Sequence, residues 1–260
     1  VRLIATTALL GLLVVLLAVI LAVAGLLVVH RLVPLSIRES HTAAIGIIYA
    51  ALYVMFGMMV GFSAYIVLNK YNTSQNTVKS EASNVEELYW LAEQLPEPER
   101  DEIQELAVLY MRVMVDEEWP LMRGGQTSPR AATLADDLRR SIEDFEGGTI
   151  AEQAVYAQEL ERVHDLDQAR EVRLLNVSEG LPPVLWFVLV SLGIDTILFT
   201  YFVGMKARWL HVLAVAALTG GIALIIFAIF VLDRPFGGDL RVGPNAFELV
   251  LDTVEGDGTR

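Results

Sequence analysis

The sequence predicts an all-α integral membrane protein with four transmembrane helices and a helical soluble domain inserted between the second and the third. Three observations predict it. The 260-residue chain is 54% hydrophobic, with a mean hydropathy of +0.50, more apolar than a soluble domain of this length. Its charged fraction is an ordinary 20%, so charge and hydrophobicity must be segregated. Segregated they are: 3–29, 42–69 and 209–232 carry no charge and 180–205 carries only Asp195. About 20 apolar residues cross a hydrocarbon core.

The spans are expected at 3–29, 43–69, 183–205 and 209–232. Arg2 and the Ala22-Val23-Ala24 sequence imitate a cleaved signal peptide. The apolar run continues past that point, however, beyond the roughly 7–15 residues of a signal core, so a retained span is expected. The stretch 70–181 holds 11 basic and 24 acidic residues, and the rest of the chain holds 8 of each. The whole formal charge of −13 therefore belongs to one block of domain size. The expected division is 1–69 for the first two spans, 70–181 for the acidic helical domain, 182–238 for the last two spans and 239–260 for a tail.

The acidic block reads as helices. Ser83-Asn84-Val85-Glu86 is a capping-box pattern, with Val85, Leu88, Leu91 and Leu95 on one face. Pro96 and Pro98 stop that helix. A second is expected over about 99–118, striped by Ile103, Leu106, Tyr110 and Val113. Ser128-Pro129 starts a third, striped by Leu134, Leu138, Ile142 and Phe145 and stopped by Gly147-Gly148. Thr149-Ile150-Ala151-Glu152 is another capping box, opening a helix that reaches about Ser178 and spans about 45 Å. The Asn/Thr/Ser/Gln-rich 72–76 segment is equally consistent with a loop and with an extension of the second span. The tail, with Phe247, Leu249 and Leu251 between Pro244 and Gly256, reads as a loosely held end.

With four spans, the block and both termini share one side of the membrane. Eight basic residues flank the spans there (Arg2, Lys70, Lys79, Arg162, Arg170, Arg173, Arg234, Arg241), against Arg31, Arg38, Lys206 and Arg208 opposite. That excess favours a cytoplasmic block in a multi-pass cell-membrane protein.

Several classes of chemistry lack their residues. There is no cysteine, so no disulfide, thiolate nucleophile or cysteine-ligated metal centre. The acidic balance opposes nucleic-acid binding. No phosphate loop, GxSxG elbow or HExxH is present, and no enzyme activity, cofactor or metal site is expected. The four histidines are scattered, and Glu117-Glu118 reads as solvated charge at a helix end, with Trp119 beside Pro120 anchoring the turn.

Asp195 is the sharpest single residue. A carboxylate halfway through a span costs several kcal/mol unless protonated, paired or wetted. Ser191 lies one turn earlier, and Thr196 and Thr200 form a neighbouring polar strip, so these four are the candidate pore or ion site. Gly57 and Gly61 form a small-xxx-small pair suited to close helix packing, as do Gly220 and Gly221. Asp233-Arg234-Pro235-Phe236-Gly237-Gly238 reads as a tight interfacial turn in which Asp233 and Arg234 pair.

Taken in order, His41, Glu81-Ala82, Pro96 and Pro98, Tyr110, Glu118-Trp119-Pro120, Arg170 and Arg173, Leu181-Pro182 with Trp186, and the 233–238 turn resemble the bestrophin-like domain family of bacterial membrane proteins. The resemblance covers about 41–245, and its most specific parts are Glu118-Trp119-Pro120 and Asp233-Arg234-Pro235-Phe236. It implies likeness to bestrophins, pentameric ion channels with four spans per subunit and cytosolic helices. It places no calcium site and no pore-neck aromatic on a position of this chain. The resulting expectation is a homo-oligomeric, bestrophin-like ion channel in a lipid bilayer, a pentamer by analogy, with inorganic ions as its cargo. Asp195 would form a cation-favouring ring, and the acidic block would concentrate cations at one mouth. The alternative is a non-conducting scaffold or sensor that binds a partner through the soluble helices. A proton-coupled transporter using Asp195 is a third reading, opposed by the small number of spans and the lack of an inverted repeat.

Overall fold

The computed structural model describes residues 2–144, 149–178, 180–237 and 240–257, with side chains over 7–39, 45–144, 149–177, 180–237 and 240–256. Among the described residues every regular element is helical. In order they are α1 (Arg2–Leu32), α2 (Leu35–Ala92), α3 (Glu99–Val113), one π-helical turn (Met114–Glu118), α4 (Trp119–Met122), α5 (Pro129–Glu143), α6 (Ile150–Ser178), α7 (Pro183–Thr200), α8 (Arg208–Leu232) and α9 (Asn245–Asp257). Four of them, α1, α2, α7 and α8, are long and apolar enough to cross a membrane. Phe145, Gly147, Gly148 and Gly238 lie outside the described residues, as does the His41 side chain.

The chain forms two compact units, one of Val1–Asn69 with Gly180–Asp233 and one of Lys70–Glu179 with Arg234–Arg260. In the first unit α1 packs on α8 through Ala22, Leu26 and Val215, and a second cluster joins Phe56, Val67, Leu189, Ile222 and Ile229. α1 and α8 approach closely at Gly11, where a Cβ would stand 2.5 Å from the Phe227 ring. The third span ends at Thr200, five residues short of its expected limit. Residues 201–203 turn through backbone bonds back to Leu198, Phe199 and Thr200. The chain then passes so close to the start of α2 that a Cβ on Gly204 would lie 2.7 Å from Glu39 backbone atoms.

Three expectations about the second unit change. The 72–76 segment is helix, and the helix expected to begin at Ser83 is the continuation of α2. No proline or glycine interrupts 62–95, and Val67, Ser74, Val78, Glu81, Val85, Leu88 and Ala92 are buried at intervals of three, four or seven residues. That stripe keeps the helix going where the capping-box pattern alone would begin one. The helix expected over 99–118 is α3 followed by the π-turn and α4. Pro120 has no N–H for the carbonyl four residues earlier, and the widened turn just before it absorbs the break in the ladder. The tail carries α9, which sinks Phe247, Val250 and Val254 into the core with Val85, Ile103, Tyr110 and Leu138.

The expected helix starts hold elsewhere. The Ser128 hydroxyl accepts from the Ala131 N–H, capping α5. Thr149 and Glu152 exchange side-chain-to-backbone bonds of 2.9 and 3.2 Å, a reciprocal capping box at the start of α6.

Candidate functional site

In the first unit Asp195 sits two-thirds along α7, exposed, with no hydrogen-bond or ion-pair partner among the described residues. Ser191 is half-buried one turn before it. Thr196 and Thr200 turn the other way. Both are buried, and their hydroxyls donate to the Leu192 carbonyl at 2.7 Å and the Ile197 carbonyl at 2.6 Å. The four residues therefore do not share one wet face. The two threonines satisfy the backbone of their own helix, and Asp195 is left with the outer surface.

Gly57 and Gly61 are exposed, and a Cβ on either would meet nothing within 4 Å, so neither mediates a helix contact within this chain. Gly220 faces Val15 and Val19 of α1, whereas Gly221 is open. The Asp233–Arg234 pair gives way to a different arrangement. Asp233 accepts from the Leu181 N–H at 2.5 Å and the Trp186 indole N–H at 3.3 Å, holding the entry of α7 to the exit of α8.

Sequence reasoning missed two features of this unit. His30 and His211, 181 positions apart, meet at 3.1 Å, and His211 Nε2 lies 2.9 Å from the Thr200 carbonyl. A carbonyl can only accept, so His211 Nε2–H donates to it, and a neutral His211 then accepts at Nδ1 from the Nε2–H of His30. The second feature is the outer face of α2. Met55, Met58, Phe62, Tyr65 and Asn69 are all exposed and recur at the three-then-four spacing of a helix seam. The spacing was legible in the sequence, but that the face stays uncovered was not. Within the second unit the same spacing takes in Asn72, Asn76, Lys79 and Ser83, again exposed.

The second unit encloses a buried ionic cluster. Glu81 of α2, Glu118 of the π-turn and Arg173 of α6 are each 0% exposed, and Arg170 is nearly so. Arg173 grips Glu81 with two donors, at 2.6 and 3.1 Å, and reaches Glu118 at 3.2 Å. The Tyr110 hydroxyl donates to Glu81 at 2.6 Å and accepts from Arg170 at 3.3 Å. The second oxygen of Glu118 takes the Ser128 N–H at the start of α5. Burial, with Glu81 beside it, holds the Tyr110 phenol well above its ordinary range, so it stays neutral. Burial alone would lower the Arg173 guanidinium, but Glu81 and Glu118 hold it above its usual value. Two carboxylates thus meet two guanidiniums, and the cluster is electrically neutral, the condition under which a core tolerates ions. Glu118 is therefore no part of a solvated charge run.

Trp119 closes this cluster on one side. Its ring lies 5.5 Å from the Arg173 guanidinium carbon, its indole N–H donates to the Val242 carbonyl at 3.1 Å, and it meets Phe236 and Phe247 edge-on. The 234–237 turn is tied by the Gly237 N–H to the Arg234 carbonyl, and the Val242 N–H binds the Pro235 carbonyl at 2.7 Å.

Among the described residues the chain is all-helical, with four helices long and apolar enough to cross a membrane and a neutral ion cluster buried in its second unit. The bestrophin-like domain matches residues 16–247, and the chain belongs to the bestrophin-like domain family. Solved structures agree on the fold. A point mutant of a bacterial bestrophin homologue from Klebsiella pneumoniae is similar with a TM-score of 0.70 at 12% identity, over 93% of this chain and 99% of that one. A further structure of a bestrophin homologue from the same organism gives 0.69 at 9% identity, over 94% and 98%. No curated protein matches the sequence. The Glu81, Tyr110, Glu118, Arg170 and Arg173 positions that carried the family resemblance are the members of the buried cluster.

Proposed function

We propose that this protein is a homo-oligomeric ion channel in which copies of α2 surround a central axis. The observation that carries the reading is the uncovered seam of α2. Only 6% of its most apolar stretch is buried within one chain, against 11%, 17% and 22% for the other three spans. A helix seam with residues every three and four positions is the surface on which identical helices associate. Around an axis it would present Met55, Met58, Phe62 and Tyr65 as an apolar constriction and Asn69 as a polar ring beside it, an arrangement that admits ions while limiting their passage. The open surfaces of Gly57 and Gly61 allow close approach of a neighbouring copy. The family and fold support the same reading. The excess of basic residues flanking the spans on its side favours a cytoplasmic second unit, whose acidic field would draw cations.

Asp195 is the carboxylate that would confer a preference for cations. It is exposed on a span and has no partner among the described residues, so in the bilayer it needs water, a proton or another subunit. Reconstituted in liposomes under a salt gradient, the native protein is expected to pass cations over anions. Asp195→Asn should move the reversal potential toward zero. An unchanged reversal potential removes Asp195 from the path and leaves the α2 seam to account for conduction; no ion flux at all would count against the channel itself.

A further inference from the structure

Along α6 the buried positions include Val155, Glu159, Val163, Leu166, Arg170 and Arg173, one every three or four residues. Arg170 and Arg173 have carboxylates to meet. Glu159 has nothing: it is 0% exposed, and neither carboxyl oxygen has a hydrogen-bond partner among the described residues. Val155 and Val163, one turn to either side, belong to the core cluster of the second unit. A carboxyl therefore stands where the stripe calls for an apolar side chain.

Among the described residues no neighbouring charge compensates it. The ionisable groups on the facing elements are engaged elsewhere or line the outer grooves. Glu87 of α2 pairs with Arg162 at 3.3 Å. Arg139 of α5 pairs with Asp136 and Asp167. Glu143 of α5 lines an open groove with Glu161 and His164 of α6. Tyr110 of α3 and Glu118 of the π-turn belong to the ionic cluster about three turns further along α6. Burial without a partner disfavours the ionised form, and desolvation pushes the Glu159 carboxyl up to about 7.

We propose that Glu159 is a proton-operated switch built into the second unit. Protonated, it packs as a neutral side chain and keeps α6 seated in the core; ionised, it must reach water, and the 155–166 stretch of α6 opens. In the opened state the carboxyl titrates at its ordinary value of 4.5, so the closed state binds more protons over the interval from there to about 7. The closed state's advantage is complete below the lower value. It is lost as pH rises through the upper one and changes no further above it.

The test is hydrogen exchange on the full-length protein in detergent at pH 6 and pH 8.5, with intrinsic base catalysis divided out. Opening of the 155–166 amides is expected to rise about tenfold between the two. In Glu159→Gln and in Glu159→Leu the rise should vanish. A native protein equally protected at both pH values, or a Gln variant with the same tenfold rise, overturns the proposal. Should neither variant fold, the infrared carbonyl band of a protonated carboxylic acid decides on the native protein alone. It should be present at pH 6 and gone at pH 8.5, and its absence at pH 6 overturns the proposal.

Discussion

Replacing Arg173 with methionine is expected to destabilise the second unit by about 3–5 kcal/mol, the loss typical of removing one partner from a buried ion pair. Arg173 supplies two donors to Glu81 and one to Glu118, and all three side chains are shielded from water. Methionine fills much of the volume but satisfies neither carboxylate. Glu81 would keep only the Tyr110 hydroxyl, and Glu118 the Ser128 N–H and a distant Arg170 at 3.7 Å. Adding Glu81→Leu should recover a large part of the loss, because an apolar pair in place of a buried ion pair is often neutral. The measurement is thermal unfolding of the purified protein followed by tryptophan fluorescence. If Arg173→Met unfolds within a degree or two of the native protein, the cluster is not the clamp between α2, the π-turn and α6 that its geometry describes.

Trp119→Ala carries a loss of similar size by another route, about 3–5 kcal/mol for emptying a large buried aromatic site. Trp119 is 3% exposed and joins the end of the π-turn to the 234–254 segment through Val242, Phe236 and Phe247. Its removal should free α9 first, so trypsin is expected to cut after Arg241 well before the rest of the second unit. Trp119→Phe keeps much of the ring contact but orphans the Val242 carbonyl, and about 1–2 kcal/mol is the expected cost. Equal trypsin resistance of the native protein and Trp119→Ala would show that α9 is held by other means.

What the sequence disclosed and what it hid follow from the range of each interaction. The spans rest on composition and the caps at Ser128 and Thr149 on neighbours three residues apart, so both were legible. The continuation of α2 through 72–76 was not, because polar residues on the outer face masked a buried stripe in which Ser74 and Glu81 take the place of aliphatic residues. The ionic cluster gathers Glu81, Tyr110, Glu118, Arg170 and Arg173 from four separate segments, and no local pattern pairs residues 92 positions apart. The family resemblance singled out those same residues without saying that they touch. The His30–His211 contact was hidden for the same reason. Asp195 was found because an ionisable group in an apolar run is conspicuous. Its companions Thr196 and Thr200 turn their hydroxyls to their own backbone, which spacing along a helix does not disclose.

Assembly of copies of this chain around α2 would be read from the number of subunits in the purified protein. Native mass spectrometry in mild detergent, or particle symmetry in electron microscopy, should show a closed ring of four or more copies, five by likeness to bestrophins. A monomer or dimer that persists across several detergents would leave too few α2 helices to surround an axis and would rule out the ring.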